Sequence, residues 1–298
     1  MRTRTDLALV AVAVVWGSSY LAAHEVVAPD TVFAILVLRF GLAAAGLAVL
    51  VAPRLRGLRG DEMGLGVVFG AILSLVLTLE TFGLTQTSAA NAGLIISLTM
   101  VITPFLERRR RPAPFYAAAL VAVAGVAVLS GGVTTPGLGD LLILLAAVAR
   151  AVHITVIARL SAGRTLDSAR LTLVQLLTAL AVFVVLAPFT GRGVGDVAAH
   201  LDTRGWLLIG YLAFGCTVFA FLVQTWAVRR TSPTRVSLLL GTEPLWAVAI
   251  GVLVAGDPVT GAGVLGAALI LTGINWARVL DSRALDSKRA LTLTRWQT

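Results

Sequence analysis

TLETFGLTQTSAANAGLIISLTM (residues 78–100) returns, diluted but in order, 144 positions later as LVQTWAVRRTSPTRVSLLLGTEP (222–244). Thr81 aligns with Thr225, Thr87-Ser88 with Thr231-Ser232 and Leu94 with Leu238. Earlier pairs keep the sequence of the series: Asp6 with Asp140 and Trp16 with Arg150 at an offset of 134, and Arg39 with Gln175 at 136. What such a repeat means depends on what lies between its copies.

The chain has 298 residues, 58% of them hydrophobic and 13% charged, against roughly 45–50% apolar and about 25% charged in an ordinary soluble domain. About 20 apolar residues at about 1.5 Å rise cross a hydrocarbon core about 30 Å thick. Such runs predict ten spans, at 6–24, 31–51, 64–83, 89–106, 114–130, 139–158, 169–188, 206–226, 236–255 and 261–279. The expected fold is all-α, a polytopic membrane protein. Five spans separate each repeat pair, and an odd number of crossings inverts the second copy. The expectation is therefore two inverted five-helix repeats, 1–130 and 131–280, followed by a polar cytoplasmic tail, 281–298.

The net charge of +9 follows from orientation rather than from nucleic-acid binding. With the N-terminus inside, 20 of the 24 basic residues fall in cytoplasmic segments, as the positive-inside rule requires. Both termini are then cytoplasmic. The ERRRR run (107–111) reads as a solvated loop at the headgroups. Arg2 and Arg4 before an apolar core resemble a signal peptide, but cleavage would leave an odd number of spans. The single cysteine, Cys216, reads as packing.

Polar groups inside a bilayer cost several kcal/mol unless they face protein or water, so they mark candidate sites. Arg39 lies eight residues in from Thr31 and Arg150 eleven from Gly139, or about 12 and 16 Å of rise. His153 follows a turn later, Glu243 sits in the middle of span nine, and Glu80 lies near the outer end of span three. Arg39 reads equally as a solute contact and as a pin paired with Glu80 or Glu243. His153 reads as an interior histidine or a proton carrier. Pro244 lacks an N–H and favours a bend beside Glu243, which makes Glu80, Glu243 and Pro244 candidates for coupling or gating. In AVVWGSSYLAAHE (13–25), Trp16, Ser19 and Tyr20 share a helix face, while Gly17 and Ser18 permit close helix approach. Asn91, Gln175 and Tyr211 add hydrogen-bonding capacity. Such a set suits a small organic solute better than a bare metal ion, which would want clustered carboxylates or thiolates.

WGSSY in the first span, LRF (38–40), TSAANAGLI, TSPTRVSLLLGTEPLWAVAIG and the five-plus-five layout together resemble the EamA family of the drug/metabolite transporter superfamily. The resemblance implies a ten-helix bacterial inner-membrane carrier, typically an exporter of small metabolites, amino acids or toxic organic molecules, working by alternating access. Its partners would be a small-molecule solute and the lipid bilayer, with protons as a candidate coupling ion. One departure stands out: the first-half counterpart of Pro244 is Met100, with Pro104 one turn later, so the fourth span lacks a proline in the register that bends the ninth.

Two rivals were weighed. GLGD (137–140) matches an element of membrane aspartyl proteases, but that chemistry needs a second intramembrane aspartate and none lies deep in a span. A passive channel fits the same composition as a carrier. No phosphate-cradling, zinc or nucleophile-elbow motif occurs, so no enzyme activity, cofactor or metal is expected, and oligomeric state is left open.

Overall fold

The computed structural model describes residues 2–107, 111–129, 137–189, 191–250, 252–253 and 260–294, and among them every regular element is a helix. In chain order these are α1 (Arg2–Val26), α2 (Val32–Leu55), α3 (Gly60–Leu84), α4 (Ala89–Ser97), α5 (Thr99–Leu106), α6 (Ala113–Leu129), α7 (Leu138–Ser161) and α8 (Ser168–Leu186). They continue as a short α9 (Val194–His200), α10 (Thr203–Ala213), a π-helical turn (Phe214–Phe219), α11 (Ala220–Val228), α12 (Pro233–Leu240), α13 (Glu243–Ile250) and α14 (Gly261–Thr294).

Among the described residues seven helices are long and apolar enough to cross a membrane, and Asn91–Leu106 and Ala113–Val128 are shorter apolar segments where spans four and five were expected. The ninth span is not one helix of membrane length but α12 and α13 in series. The count of ten is thus matched only in this composite way. The last apolar stretch ends at Asp281, and α14 continues from it to Thr294. Residues 108–110, the repeat boundary at 130 and 131, 254–255 of span nine and Arg295 lie outside the described residues.

The recurring Thr-Ser is a helix start. Ser88 Oγ accepts from Asn91 N at 3.1 Å, and its counterpart Ser232 Oγ accepts from Arg235 N at 3.2 Å, each satisfying an orphan donor of the first turn. Eight to ten residues on, both segments break. Between α12 and α13 the break falls at Gly241 and Thr242, where Pro244 leaves the Leu240 carbonyl without its i+4 donor. The first half breaks in nearly the same register without a proline there: α4 ends at Ser97 and α5 begins at Thr99. There the hydroxyls compete for backbone. Ser97 Oγ donates to Leu94 O at 2.6 Å, and Thr99 Oγ1 to Ile96 O at 2.7 Å and Ala147 O at 3.3 Å, the back-bonding that bends helices.

Packing follows the repeat. α1 leaves its own half to pack against α10 to α13, and α7 reciprocally packs against α3 to α5, while α2 faces α8 and α6 faces α14. The last pair is a small-residue seam. A Cβ on Gly273 would lie 2.6 Å from Ala118 O, and one on Gly125 2.8 Å from Gly266 O, which is how apolar helices approach closely where no hydrophobic effect drives them together.

The swapped helices are pinned at their starts. At the arginine-rich end, Asp6 accepts from Arg235 Nε at 2.8 Å and from its terminal nitrogen at 2.5 Å, and from Arg278 at 2.8 Å. At the opposite end its counterpart Asp140 accepts from Thr87 Oγ1 at 2.5 Å and Gly137 N at 2.9 Å. Asn91, also bonded to Asp140, stands where the second half has Arg235. Arg111 corrects the solvated reading of the basic run: it is buried, because it neutralises Glu107 at 2.9 Å and Asp281.

Gly17 is where α1 meets α13, and a Cβ there would sit 2.7 Å from Glu243 O and 2.8 Å from Ala247 N. Gly17→Val is expected to destabilise the protein by about 1–3 kcal/mol. Gly41→Ala, whose Cβ would meet nothing within 4 Å, is expected to be neutral or mildly stabilising. Thermal unfolding of the solubilised variants checks both.

Candidate functional site

α1, α2, α3, α7 and α13 converge on one cavity. The centre is Arg150, from the middle of α7. Its guanidinium bonds Glu80 Oε2 at 2.9 Å and Glu243 Oε2 at 3.3 Å, and lies 4.7 Å from the centre of the Trp16 ring. A cation in hydrocarbon costs several kcal/mol. Two carboxylates and an aromatic face supply what water would have given. The side chains of Arg150 and Glu243 are only 10% and 4% exposed, so removing one partner strands the others.

Local structure fixes each group. Glu243 is the first residue of α13, placed by the break and favoured at a helix N-terminus. Trp16 is held from behind, since its Nε1 donates to Cys216 O at 2.9 Å and its ring packs 5.5 Å from that of Phe221. Cys216 lies in the π-helical turn, whose longer hydrogen-bond register releases backbone groups from the regular ladder. The same turn presents Thr217, whose Oγ1 donates to Leu212 O at 2.8 Å and accepts from Arg39 Nε at 2.7 Å.

The cavity gathers Trp16, Ser19, Tyr20, Arg39, Glu80, Arg150 and Glu243 among its lining. The pairing of the cations differs from the sequence reading: Arg39 bonds neither Glu80 nor Glu243, because Arg150 takes both. Glu80 is consequently a half-buried partner of Arg150. Tyr20 is buried beside Glu243.

The remaining candidates lie elsewhere. His153 Nε2 contacts Gln175 Oε1 at 3.2 Å and its Nδ1 meets Gln224 Nε2 at 3.5 Å, in a buried cluster outside the cavity lining. Asn91 belongs to the Asp140 pin. Tyr211 bonds Ser18 Oγ and Val15 O on the outer face of α1. Pro244 lines a neighbouring void of about 10 Å³ that shares Arg150 and Glu243 with the main cavity. Thr217, the Cys216 carbonyl and Phe221 were not singled out from sequence; a threonine and glycine clustered at GCT (215–217) are the only trace.

The space is tight. The main cavity is small, about 40 Å³, and reaches His24, Val27 and Thr85 at the end of the bundle where α1 finishes. At the opposite end a vestibule of about 690 Å³ is lined by Thr155, Arg159, Arg229 and Arg235. The Arg150–Glu243 pair stands on the wall between the main cavity and the small void.

Arg150→Met is expected to cost about 3–5 kcal/mol, the penalty for breaking a buried ion pair from one side. Adding Glu243→Gln to it should restore part of that loss. A double-mutant cycle by thermal or denaturant unfolding reads the coupling, and additive losses would show that the bridge contributes nothing.

A curated relative from Archaeoglobus fulgidus, described as an uncharacterized transporter, is 27% identical over 277 residues, covering 92% of this chain and 85% of the relative. A solved crystal structure superposes with a TM-score of 0.74 at 21% identity, covering 95% of this chain and 99% of the other; it shares the fold. The model of the EamA-like transporter family matches twice, over residues 3–131 and 137–277. With both halves matched around this buried charge cluster, the chain belongs to the EamA-like transporter family.

Proposed function

We propose that this multi-pass membrane protein is a secondary carrier that exports a small organic solute, an amino acid, nucleoside or drug-like molecule, by alternating access around the Arg150 cavity. The observation that carries the reading is the sharing of that cavity between the halves: Trp16, Arg39 and Glu80 come from the first, Arg150 and Glu243 from the second. A site built this way changes shape when one half rocks against the other.

Trp16, Ser19, Tyr20 and Arg39 then face the solute, and Glu80, Glu243 and Pro244 act in coupling or gating, with Glu243 able to release Arg150 on protonation. His153, Gln175, Asn91 and Tyr211 serve by holding α7, α8, α4 and α10 in register. The halves divide near residue 130. The arginine-rich end, with both termini, faces the cytoplasm of a bacterial cell, and the vestibule of about 690 Å³ is the inner approach. The pins at the two ends differ in strength. Opening the inner end breaks a cluster of three charges around Asp6, whereas opening the outer end breaks the bond from the neutral Thr87 hydroxyl to Asp140. The outer-open state is the easier one to reach in the solute-free protein.

An open channel is disfavoured because the small cavity of about 40 Å³ and the vestibule of about 690 Å³ are separate spaces. An aspartyl protease is disfavoured because Asp140 is spent on capping α7 and holding Thr87. The chain is read as a non-enzyme.

Purified protein in proteoliposomes preloaded with amino acids, nucleosides, organic acids or organic cations decides between these classes. A carrier gives saturable uptake of the labelled compound, accelerated by unlabelled compound on the far side, with one chemical class preferred. Flux linear in concentration and without trans-stimulation would overturn the reading in favour of a channel.

A further inference from the structure

The cavity contains two cations, and they are not equivalent. Arg150 has both carboxylates. Arg39, two turns into α2, has one bond from Nε to Thr217 Oγ1 at 2.7 Å. That hydroxyl spends its proton on Leu212 O at 2.8 Å, so it can only accept from Arg39, and the guanidinium is held in one orientation. Among the described residues no carboxylate lies within 4.0 Å of its nitrogens. The nearest aromatic face, Phe40, is 5.9 Å from its central carbon, the outer limit of a cation–π contact. Its terminal amino groups are therefore left without a protein acceptor, on the wall of a cavity.

A lone guanidinium at this depth is costly. Glu80 and Glu243 would relieve it only by abandoning Arg150. The cavity wall that Arg39 shares offers further hydroxyls but no other carboxylate, and it carries an apolar surface that includes Leu36, Leu77, Leu212 and Phe221. What completes such a site is an anionic head with an apolar body. The planar fork of an arginine matches a carboxylate bidentately.

Resting on the carrier reading, we infer that Arg39 is the docking point for the carboxylate of an organic acid, whose apolar body lies against Leu36, Leu77 and Phe221. Formal charges in the cavity then total minus one with solute bound and zero without it. A cationic amine meets two guanidiniums and no free carboxylate. A neutral solute leaves Arg39 unpaired. Thr217 is a positioning residue, acting through Arg39.

The test uses full-length purified protein near neutral pH and at fixed ionic strength, with probes that share one body: benzoate, benzamide and benzylamine, then phenylacetate and its amide. Binding is read by calorimetry or by the shift in melting temperature. The acids are expected to bind about tenfold or more tightly than their amides, and benzylamine not to bind. Arg39→Gln abolishes the acid preference and Arg39→Lys keeps part of it. Thr217→Val weakens acid binding while leaving amide binding unchanged.

Equal binding of acid and amide by the unmodified protein overturns the inference whatever the variants do. So does an acid preference that survives Arg39→Gln, tighter binding of the amine, or saturable stabilisation by chloride alone with no acid preference. Failure of the carrier reading looks different, as no solute of any class then shows trans-stimulated exchange. Exchange of neutral or cationic solutes without acid preference would leave the carrier standing and remove Arg39 from solute binding.

Discussion

One guanidinium, that of Arg150, shared by Glu80 and Glu243 in the low-dielectric middle of the bundle, constrains everything around it. A buried charge survives only where its partners are held in place. The three groups come from α7, α3 and α13, helices that belong to different halves of the chain. Glu243 arrives because the ninth segment breaks. Trp16 arrives because Gly17 lets the backbone of α13 come against α1. Each departure from a plain apolar helix in this region thus has a role in compensating one charge.

The π-helical turn performs the same service from behind. It supplies a carbonyl acceptor for the Trp16 indole and a threonine for Arg39 within two successive residues, Cys216 and Thr217. Away from the site the bundle is held by other means, namely the glycine seam between α6 and α14 and the pins around Asp6 and Asp140. Gly191 adds one more constraint. It takes a left-handed φ of 63° so that the following Arg192 N reaches Asp30 O at 2.7 Å, tying the α1–α2 and α8–α9 connections together, and any Cβ there would collide with Asp30.

Much of this was legible in the sequence, for identifiable reasons. Long apolar runs and arginine-rich connections are first-order consequences of living in lipid, so the helices fell where expected. The repeat made Trp16 and Arg150 equivalent positions of the two halves, and the structure brings the two side chains together. The face of Trp16, Ser19 and Tyr20 followed from periodicity alone. Other features could not be read. Which arginine takes which carboxylate depends on where side chains from five helices end, and that left Arg39 wrongly paired in one reading. The fourth segment breaks without a proline because serine and threonine hydroxyls bond backward, an outcome set by tertiary context. A π-helical turn shifts register by one residue and leaves no periodic signal. Asn91, Gln175 and His153 are buried and Tyr211 is exposed, and residue type alone does not tell a pin from a cavity wall.

The central claim is that the Arg150 cavity is reached from each side of the membrane in turn. Ser19 lines that cavity, and Cys216 is the sole native cysteine, so Ser19→Cys in a Cys216→Ala background gives a single reporter. Its reaction with a membrane-impermeant thiol reagent is to be measured in right-side-out and in inside-out vesicles. The account predicts labelling from both sides, faster from the outer one. Labelling from one side alone would contradict it, and the charge cluster would then be a structural keystone of a bundle that does not alternate.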